Sequence, residues 1–242
     1  MVSPALAVIV PVGAGEAPPP EIFFERARGA GGEPGADAAT VSLCAAADAR
    51  IRPETADAFR RARATLFTFE EIPRGARLAR AVSFLPLEES PLLLFLHCDT
   101  LLPDGWAAAV RAALARGAAG GAFRLGFDGG GSRMACVAAG ANLRTLFTRV
   151  PYGDQAPWVR RDVYERLGGH RPWPLLEDWD FSRRLLAAEG RRRIAILREK
   201  VRTSPRRYLE RGVVKTVRRN WEILRRVRRG EAPERLVELY KR

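Results

Sequence analysis

A chain of 242 residues, 47% apolar and 29% charged, can build one large α/β domain or two small ones around a sizeable core. Its net charge of +13 lies wholly in residues 191–242, with 19 basic and 6 acidic side chains, while residues 1–190 carry 22 of each. Attraction to phosphate or to an anionic surface is thereby confined to one end. No apolar run approaches the roughly 20 residues of a membrane span, and three cysteines without metal-type spacing argue against a disulfide framework and a soft-metal centre, so a cytoplasmic location is expected.

The opening "ALAVIVPV" (5–12), rich in Val and closed by Pro and Gly, predicts a buried first strand rather than a signal peptide, since no basic segment precedes it. "EIFFERARGAGGEPGAD" begins helix-like and dissolves into glycines, and "ATVSLCAAA" (39–47) predicts a second strand. A helix over 52–64 starts at Pro53, "TLFTFEEI" predicts a third strand, "RGARLARAVSFL" a helix and "PLLLFLH" a fourth strand. "LPDGWAAAVRAALARG" is punctuated as a helix, with Asp104 the expected cap and Gly117 past its end. Strands alternating with helices imply βαβ units and a mostly parallel sheet, whose ligands sit beyond the C-terminal ends of the strands.

The second half is more mixed. "GGAFRLGFDGGG" (120–131) predicts an exposed strand with a glycine-rich exit, and 133–149 a helix. Asp162 with Glu165 resembles a capping box, and Gly168-Gly169 stops that helix. Glu177, Asp178 and Asp180 crowd the start of a helix that ends at Gly190. Acids there complement the helix dipole, but three exceed what a cap needs, and one is placed to act as a general base on an acceptor hydroxyl.

Asp99 follows the fourth strand, and with Asp104 taken as the cap it has no evident structural duty. A hard divalent cation takes oxygen ligands, commonly one or two carboxylates plus substrate phosphates. In "YGDQAPWVRRD", Gly153 permits close backbone approach while Asp154 and Gln155 offer acceptor and donor groups; an ordinary Gly-Asp turn accounts for the same residues. His170 reads as a loop residue and Cys98 as packing.

The ordered set "LLLFLHCDTLLPDGW", "GGAFRLGFD", "PYGDQAPWVRRDVYERLGG", "PLLEDWDFSRRL" and "TSPRRYLERGVVKT" resembles bacterial family 2 glycosyltransferases, nearest to the selenium-domain-associated subgroup. The resemblance implies a GT-A fold, a Rossmann-like sheet flanked by helices. It also implies transfer of a sugar from a nucleoside-diphosphate donor, usually with inversion and with Mg²⁺ or Mn²⁺. Position by position, Asp99 matches the metal-ligating aspartate and Glu177-Asp178 the catalytic pair, with Asp178 as base. Gly153, Asp154 and Gln155 match the acceptor-side segment, and Pro11, Arg74, Arg77, His97 and Asp99 the donor side. Arg206 or Arg207 stands where it can reach the diphosphate.

The departures lie in the donor-base pocket. "VPVGAGEAP" offers only Glu16 after the first strand, the second-strand acid falls near Cys44 or Ala45 with Asp48 later, and Ala79 and Ala81 replace expected amides. An unusual donor, a rearranged pocket or a weakened enzyme are the corresponding expectations.

The expected organisation is a transferase domain over 1–190, with a nucleotide half to about 117 and an acceptor half over 118–190, and a basic helical segment over 191–242 packed on it. From Leu209, Val213, Val217, Trp221, Leu224 and Val227 fall on one helical face, with arginines around it. That face packs on the domain, meets anionic membrane headgroups near a lipid-linked acceptor, or attracts nucleic acid without a recognised module. Two rivals stand beside the transferase: a binding or scaffold protein on a decayed GT-A fold at the membrane surface, and a sugar nucleotidyltransferase, which pyrophosphate release would expose.

Overall fold

The computed structural model describes residues 5–29, 41–86 and 90–241. Residues 30–40, including the glycine run and the first two residues of the expected second strand, lie outside the described residues. β1 (Leu6–Val12) is buried along its whole length, and β2 (Val41–Asp48) over its last six residues. A strand covered on both faces has this unalternating apolar pattern. β3 (Thr65–Phe69), β4 (Leu92–Phe95), β5 (Thr100–Leu101), β6 (Gly120–Phe127), β7 (Trp158–Arg160) and β8 (Ile194–Thr203) complete one sheet in the order β3-β2-β1-β4-β7-β6-β8-β5. β1 to β4 run parallel, β7 is antiparallel to both of its neighbours, β8 is parallel to β6, and β5 is antiparallel to β8.

Helices cover both faces. On one, α1 (Glu21–Ala27), α2 (Pro53–Arg61), α4 (Trp106–Ala115) and α5 (Gly131–Thr148) pack Phe23, Phe59, Trp106 and Ala138 against Val8, Leu94 and Phe123. On the other, α3 (Arg74–Ser83), α6 (Arg161–Arg166) and α7 (Glu177–Glu189) pack Leu78, Val163, Phe181 and Leu185 against Ile9 and Leu93. His170 sits here too, fully buried, its Nδ1 3.0 Å from the Tyr164 hydroxyl and its ring against Phe95. α8 (Arg206–Arg211), α9 (Val213–Arg228) and α10 (Val237–Lys241) follow β8. A third apolar cluster joins Ile223, Leu224, Val227 and Leu236 to Trp179 of α7 and to Leu175. Each such side chain contributes about 1.5–3 kcal/mol on burial, enough to seat this basic segment on the sheet's ligand-binding edge.

Five expectations are corrected. β6 is an interior strand, not an exposed one. Its glycines serve close packing, because a Cβ at Gly121 would stand 2.8 Å from the Trp158 ring. Residues 194–203 form the longest strand of the sheet, so the basic segment is not helical from residue 191. Ile194, Leu197, Val201 and Thr203 are buried there between exposed charges that mask the pattern in sequence.

On α9 the buried residues are Thr216, Arg219, Ile223, Leu224 and Val227, while Trp221 is 62% exposed and Leu209 belongs to α8. The predicted stripe is therefore rotated, because arginine stems cover apolar surface as well as valines do. Asp104 pairs with Arg26 instead of capping α4, whose first turn starts from a left-handed Gly105. Asp162 pairs with Arg160, which occupies the cap position of α6 itself.

Candidate active site

The parallel strands end on one edge, and the loops there bring Asp99, His97, Asp154 and Asp178 to a cavity of about 160 Å³ roofed by α8, α9 and α10. Asp99 enters through a tight turn after β4. Its backbone is pinned on both sides, with Ser204 N–H donating to the Asp99 carbonyl at 3.0 Å and Thr100 Oγ1 donating to Thr203 Oγ1 at 3.0 Å across the β5–β8 pair. A strand from the basic segment thus fixes a carboxylate delivered by the first half of the chain.

The three acids opening α7 divide their duties. Glu177 is 1% exposed and binds Arg74, with contacts of 2.5 and 3.0 Å. Burial disfavours the Arg74 charge, but the Glu177 carboxylate outweighs it and raises the pKa of Arg74. Asp180 pairs with Arg184 at 2.8 Å and Arg171 at 3.2 Å. Only Asp178 of the three lines the cavity. Its Oδ1 accepts the Trp179 N–H at 2.7 Å and its Oδ2 accepts the Gly153 N–H. Leu176, immediately before them, holds φ +62°, a left-handed conformation costing about 1–2 kcal/mol in a non-glycine residue.

Gly153 works by absence. A Cβ there would stand 2.7 Å from His97 Nε2 and 2.9 Å from Asp178 Oδ2. The bare backbone therefore lets the β4 loop and α7 converge. Burial, with the Arg74 charge adding to it, pulls the His97 pKa down to about 4, so the imidazole is neutral at pH 7. Burial pushes the Asp154 carboxyl up to about 6, opposed by Arg144 and assisted by the Asp178 and Asp99 charges, and its Oδ1 has no hydrogen-bond partner.

Arg207 reaches the cavity, as the sequence allowed, and donates to the Tyr240 hydroxyl at 2.7 Å. Arg206 is exposed outside it. Gln155 is fully buried away from the cavity, where Thr145 Oγ1 donates to its Oε1 at 2.7 Å and its Nε2 donates to the Phe123 carbonyl at 3.2 Å, so it braces the Gly153 turn. Pro11 offers its carbonyl to the Cys98 thiol at 3.6 Å.

Arg77 also lies outside the cavity. It donates to Asp48 at 2.8 Å, and Arg50 contacts the other oxygen of the same carboxylate at 3.1 Å. Hydrogen bonds from Arg50, with the Arg77 charge, hold Asp48 below the usual carboxylate range against burial; burial in turn lowers Arg77. Asp48 is the last residue of β2, on the ligand-binding edge. An acid is therefore present at the end of β2, later than the spacing led one to expect.

The roof was not foreseen. Tyr208, Thr216, Arg219 and Tyr240 line the cavity, and their only sequence signal was the spacing of Thr216, Arg219 and Ile223 along one side of α9. Among the described residues no three His, Cys, Asp or Glu side chains converge as a ready-made metal cage. A single cavity-facing carboxylate still suits a hard cation that draws its other ligands from water and phosphate, and Asp99 is one.

Solved structures share this architecture. TarS 1-349 of S. aureus in complex with UDP-GlcNAc superposes with a TM-score of 0.61 at 12% identity, over 83% of this chain and 58% of that one. The mannosyltransferase PcManGT of Pyrobaculum calidifontis, in complex with GDP-Man and Mn²⁺, gives 0.63 at 17% identity over 99% and 69%. Glucosyl-3-phosphoglycerate synthase of Mycobacterium tuberculosis, in complex with Mn²⁺, UDP and glucosyl-3-phosphoglycerate, gives 0.56 at 13% over 81% and 70%.

The chain has a GT-A fold. It spans less than two thirds of the TarS fragment. No family model matches the chain, and no curated protein matches it.

Proposed function

We propose that the chain is a glycosyltransferase that uses a nucleoside-diphosphate sugar and inverts the anomeric centre, within the family 2 group that its motifs resemble. The observation that carries the reading is one cavity, on a GT-A sheet edge, holding Asp99, His97, Asp154, Asp178 and three arginines. GT-A structures bound to UDP, UDP-GlcNAc and GDP-Man support the donor class.

In this reading residues 1–117 supply the donor side, residues 118–190 the acceptor side, and α8–α10 close over both. Asp99 would hold Mg²⁺ or Mn²⁺, which supplies Lewis-acid neutralisation of the departing diphosphate. Arg74 and Arg207 add positive charge around that leaving group. Asp178 takes the proton of the acceptor hydroxyl as its oxygen bonds the anomeric carbon and the carbon–phosphate-oxygen bond breaks. Two backbone N–H groups orient the Asp178 carboxylate for this.

The test is calorimetric titration of UDP, GDP and their common sugar conjugates, with and without Mn²⁺, on the wild type and Asp99→Ala. Metal-dependent binding that disappears in Asp99→Ala is the expected result. No nucleotide binding by a folded wild type would sink the reading and favour a scaffold.

The outer face of α9 supports a peripheral membrane contact. Exposed Trp221 stands among Arg218, Arg225, Arg228 and Arg229 in a shallow groove, a composition that suits anionic headgroups and a lipid-linked acceptor. No helix among the described residues is long and apolar enough to cross a membrane. Sedimentation with phosphatidylglycerol vesicles should fall steeply with salt and with Trp221→Ala; retention equal to that on neutral vesicles would reject the contact.

A further inference from the structure

The cavity gathers polar atoms that the protein leaves without partners. Arg219 is 8% exposed, and neither its Nε nor its Nη1 has a hydrogen-bond acceptor. Thr216 Oγ1, one turn earlier on α9, and Asp154 Oδ1 across the cavity are also buried and unpartnered. Buried polar groups are nearly always satisfied, and a buried cation without an anion is costly. Arg219 gains only a partial substitute from the Tyr240 ring, 5.5 Å from its guanidinium carbon.

Its surroundings aggravate the deficit. Burial lowers the Arg219 pKa, and the neighbouring charges of Arg211 and Arg207 add to it. Both of those arginines are occupied, Arg207 at the Tyr240 hydroxyl and Arg211 at the Tyr240 carbonyl at 3.1 Å. The cavity thus has two cationic poles. Arg74 lies within electrostatic reach of His97, beside Asp99, and Arg211 within reach of Arg219, while Arg207 stands between and reaches both.

We propose that Arg219 and Thr216, facing Asp154, form a subsite for an acceptor that carries an anionic group, phosphate or carboxylate, together with free hydroxyls. The guanidinium offers the anion charge-assisted N–H donors, with Nε free on one edge of its plane and Nη1 on another. Thr216 adds a hydroxyl to the same anion, and Asp154 Oδ1 accepts a hydrogen bond from a ligand hydroxyl. The diphosphate of the donor occupies the other pole. The assignment of poles rests on the transferase reading; the anion subsite itself is tested without a nucleotide.

The probes are inorganic phosphate and acetate, titrated into the full chain by calorimetry and thermal unfolding, for the wild type, Arg219→Gln, Arg219→Lys and Asp99→Ala. Saturable phosphate binding is expected in the wild type and in Asp99→Ala, with at least tenfold loss in Arg219→Gln and partial recovery in Arg219→Lys. Stronger acetate than phosphate binding would assign a carboxylate acceptor, and the reverse a phosphorylated one.

Free Arg219→Gln should unfold at a higher temperature than free wild type, because an unpaired buried charge is gone. A purely structural arginine would give the opposite shift, so a destabilised variant overturns the proposal. Phosphate affinity unchanged in Arg219→Gln also overturns it, as does no binding to the wild type. Mn²⁺-dependent UDP or GDP binding measured on Arg219→Gln should match the wild type. Its absence from both proteins would defeat the transferase reading while leaving the anion result to stand separately.

Discussion

Two charged clusters sit on the same edge of the sheet and are built in opposite ways. At the end of β2, Asp48 is closed by Arg77 and Arg50, outside the cavity that holds Asp99. Under α9, Asp154, Thr216 and Arg219 surround space and leave atoms unsatisfied. Both place charge in partly dehydrated surroundings, where an unmade bond is expensive. In the closed cluster the charges are matched to one another, with Arg77 Nε left without an acceptor. The open one surrounds a cavity with the unpartnered donors and acceptor that the proposed ligand would engage.

The contrast should appear most strongly in activity. On the proposed transferase reading, Asp178→Asn is expected to reduce sugar transfer by about 10²–10⁴-fold, the usual worth of a positioned general base, with nucleotide affinity within twofold of wild type. A parallel loss of nucleotide binding would make Asp178 part of the donor site instead.

Asp48→Asn strands Arg77 and should cost about 3 kcal/mol in urea unfolding, the typical result of breaking a buried pair. A neutral result would mean that Arg77 finds water, and the closed cluster would then be no more closed than the other.

The two clusters should also respond oppositely to pH. Asp48 has a lowered pKa, so its stabilisation is present at neutral pH and fades in acid, below the ordinary aspartate range. Asp154 is raised to about 6, so its favourable state is the protonated one, and stability is lost as pH rises through that value. Free Asp154→Asn should therefore match wild type near pH 4 and exceed it by about 2 kcal/mol at pH 8. Equal stability at both values would show that Asp154 is hydrated rather than orphaned. Smallest of all, Trp221→Ala should change unfolding free energy by less than about 0.5 kcal/mol, because its side chain is exposed.

The readable parts of the sequence were those governed by local rules. Unbroken apolar runs announced β1, β2 and β4, and the position of Asp99 beyond the fourth strand followed from where parallel sheets hold ligands. The acids of α7 were visible as a group, but their separate duties were not. Arg74 and Arg171, which engage Glu177 and Asp180, stand far from them or in a loop, and only folding brings them close. β8 was hidden because the charged run Arg198-Glu199-Lys200 interrupts its apolar residues and its neighbours β6 and β5 lie more than 65 residues upstream. The inward turn of Arg219 and outward turn of Trp221 defeat a hydropathy count, since burial there follows the shape of the cavity.

The hydrogen bond from the Ser204 amide to the Asp99 carbonyl gives the molecule a gauge of its own. That amide exchanges with solvent only when β8 and the aspartate turn part company. Its deuterium uptake therefore clocks how often the end of β8 lets go of the turn that carries Asp99. A ligand gripped by both would slow that clock, while one resting on either alone would leave its rate untouched.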